Sequence, residues 1–273
     1  MSAELPGRAV VTGAASGIGR VYARRLAERG FQMLLVDVNG PGLADLVGEL
    51  RALGTEAESL VADLARPADL ETVAERLATD PDITLVINNA GTSRVAPFVE
   101  TDWRALESMI SVNVTALARL SLAALQGFRA RQSGTLVNVG SAAGFFSYAG
   151  SVMYCGTKAF ALGFTRGLQQ ELEGSPIRVQ LVTPAATVSG IWSVAGVDIS
   201  SLDAALVMTT EDCVDASLRG LELGEAITSP SLEDSTLLAA FETAGANLLA
   251  ATTSTGKPAS RYTAREAPAP TPS

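Results

Sequence analysis

The chain has 273 residues, 47% of them hydrophobic, with a net charge of −9 and no histidine. That length and apolar content suit one large α/β domain with a sizeable core, while the acidic balance argues against nucleic acid and anionic membranes as partners. Without histidine the commonest metal ligand and the usual catalytic base are gone, so no metal site is expected and any acid–base chemistry falls to Tyr, Lys, Asp, Glu or Cys.

Strand and helix patterns alternate from the start. Ala9-Val10-Val11 reads as a short buried strand, followed by a helix over Ile18 to Arg29 with Val21 and Leu26 available for packing. Met33 to Val36 is a second strand ending in Asp37, Leu43 to Leu53 a helix, and Ser59-Leu60-Val61 a strand leading to Asp63. Ile83 to Ile87 runs into Asn88-Asn89-Ala90-Gly91, and a long helix is expected from about Asp102 to Ala130. Thr135 to Val139 is a strand ending near Ser141; Val152 to Leu172 is helical; Ile177 to Val182 is another strand. Beyond Pro184 the pattern loosens, and residues 187–209 read as a mobile loop–helix segment over the site. Glu211 to Leu223 is expected as helix, Ala226 to Thr228 as a last strand, and Leu232 to Ala250 as a final helix. Continuous apolar strands between helices imply a doubly wound parallel sheet of about seven strands, covered on both faces, in one domain over residues 1–251. The tail, 252–273, is rich in Pro, Ser, Thr and Ala and is expected to be disordered. There are no internal repeats.

Cys155 and Cys213 have no zinc or redox spacing and set up no disulfide framework. Met1 to Pro6 is short and polar, unlike a signal peptide, and no apolar run reaches the roughly 20 residues of a membrane span. The default expectation is a cytoplasmic enzyme.

Gly13, Gly17 and Gly19 follow a strand and open a helix. Glycines there allow unusual backbone angles and let backbone N–H groups approach a pyrophosphate at the positive end of the helix. The spacing is G-x-x-x-G-x-G rather than G-x-G-x-x-G. Asp37, at the end of the second strand, is placed to accept hydrogen bonds from both hydroxyls of an adenosine ribose and to repel a 2′-phosphate. Neither Val38, Asn39 nor Ser16 is basic, so NAD(H) is expected over NADP(H). The plainer alternative is Asp37 as a turn or cap residue. Asp63 is either a partner for the adenine amino group or a turn aspartate. Asn88 to Gly91 brace the central sheet, line the cofactor crevice, or do both.

Tyr154 and Lys158 are i and i+4 on one helix and share a face. A free phenol has a pKa of about 10, too high for a base at neutral pH. A neighbouring ammonium, with the positive ring of an oxidised nicotinamide, favours phenolate and lets Tyr154 exchange a proton with an alcohol or carbonyl. Ser141, just after its strand, is placed to polarise and orient the substrate oxygen. Cys155 has no activating histidine and reads as packing.

Thr12 to Gly19, Asn88 to Gly91, Ser141 and Tyr154-x-x-x-Lys158, in that order, resemble the short-chain dehydrogenase/reductase family in its shorter-subunit form, over about residues 8 to 250. The resemblance implies an NAD-dependent alcohol dehydrogenase or ketoreductase of Rossmann fold. Asn113 falls where the family keeps a fourth catalytic residue, holding a water that connects Lys158 to solvent; the plainer alternative is a helical asparagine that bonds nearby backbone. Lys158 is implied to bond the nicotinamide ribose. The implied cofactor contacts run through Gly13, Ser16, Gly17, Ile18 and Gly19, then Asp37, Asp63 and Leu64. They continue through Asn89, Ala90 and Gly91, with Tyr154 and Lys158, to Pro184, Thr187 and Ser189. Where the family usually shows Pro-Gly this chain has Pro184-Ala185, so the turn must tolerate a β-carbon. By register Ser189 matches the common threonine that meets the nicotinamide carboxamide, with Thr187 as the alternative and the Val182 backbone as a further contact. The family commonly forms tetramers through its two long helices, here Asp102–Ala130 and Val152–Leu172, so a homotetramer or homodimer is expected.

Phe145, Phe146 and Tyr148, with Ile191, Trp192 and Val194, form either an apolar pocket around a secondary alcohol or ketone or part of the core and subunit contacts. The substrate contacts expected are Ser141, Phe145, Tyr148 and Trp192. Arg94 is the nearest candidate for an anion clamp and is poorly suited to it. Two other readings stand beside the enzyme: a non-catalytic NAD-binding sensor or scaffold of the same fold, and an epimerase or dehydratase using the same tyrosine.

Overall fold

The computed structural model describes residues 6–263. Seven parallel strands form one sheet in the order β3-β2-β1-β4-β5-β6-β7. They are β1 (Arg8–Thr12), β2 (Gln32–Asp37), β3 (Ala57–Val61), β4 (Ile83–Asn88), β5 (Gly134–Val139), β6 (Ile177–Val182) and β7 (Ile227–Thr228). The order reverses between β1 and β4, so the strand ends part there and open a crevice on the carboxyl side of the sheet.

Each strand sends alternate residues to opposite faces, and both faces are buried. Val10, Leu34, Val86 and Leu136 point into one core with α3 (Pro67–Thr79) and α5 (Leu117–Arg131). Val11, Leu35, Ile87 and Val137 point into the other, with α1 (Gly17–Glu28), α2 (Gly40–Ala52) and α8 (Thr210–Leu223). Helix α3 is an addition to the sequence reading. Its signal is present: Pro67 at the first turn, then Leu70, Val73, Ala74 and Leu77 at helical spacing, all buried.

The long helix expected after β4 is interrupted. Helix α4 (Trp103–Ile110) passes into α5 through a π-helical turn, Ser111–Ala116, with the buried Asn113 inside it. The stretch Trp103–Arg131 is long and apolar enough by length and composition to cross a membrane. In this fold its apolar face is used on the core, where Leu106, Met109, Leu120 and Phe128 are buried.

Between β5 and β6 lies α6 (Val152–Glu171), one of whose turns carries Tyr154 and Lys158. A buried polar ladder fastens α5 and α6 to the sheet. The Asn88 amide donates to Ser121 Oγ and to Asn138 Oδ1, both at 3.1 Å, and the Asn138 amide donates to Thr165 Oγ1 at 3.0 Å.

After β6, residues 187–209 are more ordered than the sequence suggests. They hold α7 (Ile191–Ala195) and two short 3₁₀ turns, and Thr187 pairs with Met208 in an isolated parallel bridge.

Two compact units make up the described chain, one ending at Ser231 and one beginning at Leu232. The second contains α9 (Thr236–Thr253) and a short helix, α10 (Ser260–Thr263). Helix α9 runs three residues past the expected end at Ala250, because an Ala- and Leu-rich run favours helix and the Thr252 and Thr253 hydroxyls donate to the carbonyls of Leu248 and Leu249 one turn back. Residues 264–273 lie outside the described residues.

Candidate active site

The glycine turn joins β1 to α1. Gly13 and Gly17 have φ of +67° and +51°, in the left-handed region that favours glycine. A β-carbon on Gly19 would fall 2.1 Å from the Gly13 carbonyl oxygen, so α1 can start this close to the strand only without a side chain there. The turn is braced from behind. Asn89 donates from its side chain to Thr12 O at 2.9 Å, and the backbone N–H groups of Asn89 and Ala90 both donate to Thr12 Oγ1 at 3.0 Å. Within the Asn88–Gly91 motif, Asn88 sits in the core, Asn89 and Ala90 brace the turn, and Asn89, Ala90 and Gly91 line the crevice.

Asp37 is held rigidly at the end of β2. Its Oδ2 accepts from Ala15 N and its Oδ1 from Asn39 N, both at 2.9 Å. Asp63 is a turn aspartate, with Oδ1 accepting from Ala65 N at 2.9 Å, and it also lines the crevice with Leu64.

These residues form one half of a continuous cleft of about 720 Å³. Ser16, Gly17 and Ile18 line it, as do Pro184, Thr187 and Ser189 across from them. The turn and the far wall meet closely, since a β-carbon on Gly17 would lie 3.1 Å from Ser189 Cβ. Among the expected cofactor contacts Gly19 does not line the cleft; its role is to let α1 approach the turn. The Val182 carbonyl accepts from Gly140 N at 2.7 Å, and Val182 does not line the cleft either. Ala185 fits where the family has glycine because the backbone there has no positive φ.

The other half holds the titratable groups. Ser141 Oγ accepts from Ala143 N at 3.1 Å and hydrogen-bonds the Tyr154 phenol. A β-carbon on Gly144 would lie 2.7 Å from the Lys158 carbonyl oxygen, so the loop carrying Ser141 rests directly on α6. Lys158 Nζ donates to Val139 O at 3.0 Å and lies 5.7 Å from the centroid of the Tyr154 ring.

Burial dominates both groups. It raises the Tyr154 pKa above the ordinary phenol value, opposed by the Ser141 hydrogen bond, and pushes Lys158 down to about 8. A lysine near 8 still carries its charge at pH 7.

Asn113 does not line the cleft. Its Oδ1 accepts from Thr92 N at 2.9 Å, and its amide donates to Thr92 O at 2.8 Å and Thr157 Oγ1 at 3.0 Å. Both amide hydrogens are thus committed to protein. The side chain thereby ties the segment after Gly91 to α6. Phe145 does not line the cleft, whereas Tyr148 and Trp192 do. Phe145 lies in the loop after Ser141 and packs at 6.4 Å from the exposed Phe146 ring.

Sequence reasoning passed over Thr92, Ser93 and Val95, which line the cleft from the segment after Gly91. Their one signal was continuity with the Asn88–Gly91 motif. It also passed over the Val139 carbonyl, which no side-chain pattern can reveal.

The cleft fits a dinucleotide: a glycine cradle that β-carbons would fill, a fixed carboxylate at the ribose end, and a lysine beside a tyrosine at the other. The family model for short chain dehydrogenase matches residues 8–196. The chain belongs to the short-chain dehydrogenase family. This short-chain dehydrogenase is similar to a short-chain dehydrogenase from Sphingobium yanoikuyae in complex with NADPH, at 39% identity and a TM-score of 0.90, covering 94% of this chain and 100% of that one. It is similar to the bulky-bulky ketone specific alcohol dehydrogenase from Comamonas testosteroni, at 33% identity and a TM-score of 0.86, covering 94% and 98%. It is also 32% identical over 181 residues to a very-long-chain 3-oxoacyl-CoA reductase of Anas platyrhynchos, matching 64% of this chain but only 58% of that protein's length. As a short-chain dehydrogenase the chain is an oxidoreductase that binds NAD(P).

Proposed function

We propose that this short-chain dehydrogenase interconverts fairly apolar ketones and secondary alcohols with NAD(H). The observation that carries the reading is that Ser141, Tyr154 and Lys158 meet in the same cleft as the glycine turn and Asp37. In the reductive direction the substrate oxygen accepts hydrogen bonds from the Ser141 hydroxyl and the Tyr154 phenol. When bound, the reduced nicotinamide supplies the hydride to the carbonyl carbon. Tyr154 gives its proton to the oxygen as negative charge develops there. Lys158, cationic below about pH 8 and anchored on Val139 O, favours the phenolate left behind. Its other N–H groups serve the nicotinamide ribose, as the family resemblance implies. Asn113 and Thr157 fix α6 against the Thr92 segment and so set where Tyr154 sits.

Asp37 supports NAD(H) over NADP(H). The Sphingobium neighbour carries NADPH, so coenzyme choice is the sharpest point of the proposal and rests on that carboxylate. Asp37, Asp63 and Lys158 are the charged residues among the described lining of the cleft. No arginine stands there for a carboxylate or phosphate, and Ile191, Trp192 and Val194 offer apolar surface. These features favour a neutral ketone, and the name of the Comamonas enzyme supports a bulky one. Exposed Leu122 on α5 and the stacked pair Phe160 and Phe164 on α6 are the faces on which a second copy is proposed to pack.

An alcohol and ketone panel followed by nicotinamide absorbance tests the reading. Bulky apolar ketones should be reduced with NADH ahead of NADPH. Absence of coenzyme oxidation with every ketone would refute it.

A further inference from the structure

Trp192 offers the ketone one face of its ring, but its single polar atom is engaged elsewhere. The indole Nε1 donates to the carbonyl of Thr187 at 2.7 Å. Thr187 is buried and stands at the neck of the lid, the loop 188–207. At that neck Val188 N donates to Met208 O and Met208 N to Ala186 O, both at 2.9 Å. The Thr187 hydroxyl donates to Ala185 O at 3.2 Å, and the Cys213 thiol hydrogen-bonds the Thr187 side chain. The Thr187 hydroxyl is thus held by residues outside the lid helix. The carbonyl takes its short bond from Trp192, with Ser189 Oγ at a longer 3.4 Å. On its cleft side this same stretch, Pro184 to Ser189, forms the wall facing the glycine turn.

We infer that Trp192 is a positioning residue: its indole N–H fixes the Thr187 peptide, so the lid that meets the ketone and the backbone that meets the coenzyme are held as one piece. An indole has one donor and no acceptor, so with that donor engaged it presents only carbon to a substrate. A lid anchored only by its ring would tolerate any flat apolar side chain at this position. A lid anchored by the N–H would not, because the buried Thr187 carbonyl would be left with one long partner. The far edge of the lid is tied independently, through Val95 N to Ala195 O at 3.1 Å. Loss of the indole bond therefore loosens the neck and leaves the far edge attached.

The inference rests on reading the cleft as a nicotinamide coenzyme and ketone site. Its test is NADH binding, followed by nicotinamide fluorescence, together with ketone kinetics, for three proteins: wild type, Trp192→Phe, and a protein with β-(3-benzothienyl)alanine at position 192. The last keeps the ring outline and replaces N–H by sulfur, so it answers even if the phenylalanine variant folds poorly. The expected result is an NADH Kd raised roughly tenfold in both variants, with the ratio of kcat/KM for bulky over small ketones unchanged in the benzothienyl protein, which keeps the ring outline. An unchanged Kd in the benzothienyl protein, or a changed ketone ratio with unchanged Kd, overturns the inference and makes Trp192 a wall only. If wild type binds neither NADH nor NADPH, the reading of the cleft fails first and the inference with it.

Discussion

The coenzyme wall of the cleft and the ketone wall are held by different means. The coenzyme wall hangs from the ends of β1, β2 and β4, and its shape is set by backbone: positive φ at Gly13 and Gly17, a side-chain brace from Asn89, and two N–H groups fixing Asp37. The ketone wall is a loop tied at a neck by the Thr187–Met208 bridge and shaped by the packing of Ile191, Trp192 and Val194. A wall built from backbone constraints has few workable sequences, and a change there acts on binding all at once. A wall built from side-chain surface can be altered in small steps, each shifting preference among substrates.

That contrast predicts effects of very different size. Gly19→Ala should be the most severe, because its β-carbon would sit 2.1 Å from a backbone oxygen. NADH binding by fluorescence titration should fall by roughly 100-fold or more, and retention of wild-type affinity would break the claim that this wall is fixed by backbone. Lys158 joins the two walls and is next. Burial lowers its pKa from 10.5 to about 8, so between those values the unfolded chain holds a proton that the folded one does not. Stability should therefore rise with pH from about 8 toward 10, up to about 3 kcal/mol in all, and stay flat from this source below 8. Denaturant unfolding of Lys158→Met should lack that rise; an identical profile would show that the ammonium is not desolvated. Asp37→Ala should lower the NAD-to-NADP ratio of catalytic efficiencies by about 10-fold or more, as for a lost charge-assisted hydrogen bond. Ile191→Ala should give the smallest effect, changing the preference between bulky and small ketones by about five- to tenfold with NADH affinity kept. A large loss of NADH affinity in that variant would erase the distinction between the walls.

The same contrast explains what was legible in the sequence. Glycine at 13, 17 and 19, Asp37 at a strand end, and Tyr154 four residues before Lys158 each answer a local geometric demand, so residue type and spacing reveal them. The seven-strand sheet was legible for a related reason, since strands buried on both faces leave continuous apolar runs. The partners of Asn113 were not legible, because Thr92 and Thr157 are 21 and 44 residues away and only the π-helical turn aims the amide at them. Phe145 was expected in the substrate pocket on proximity to Ser141 alone, yet it does not line the cleft. The directions in which burial moves Lys158 and Tyr154 were not legible, because burial is a property of the whole fold.

The central claim is that the Tyr154 phenol exchanges the proton while the rest of the cleft holds coenzyme and ketone. The most direct measurement compares wild type with Tyr154→Phe in the same experiment, reading NADH affinity by fluorescence and ketone reduction by nicotinamide absorbance. The account predicts turnover lowered by roughly 100- to 10,000-fold with NADH affinity within about threefold of wild type, since the lost hydroxyl is worth little to coenzyme binding. Undiminished turnover in the phenylalanine variant would contradict it.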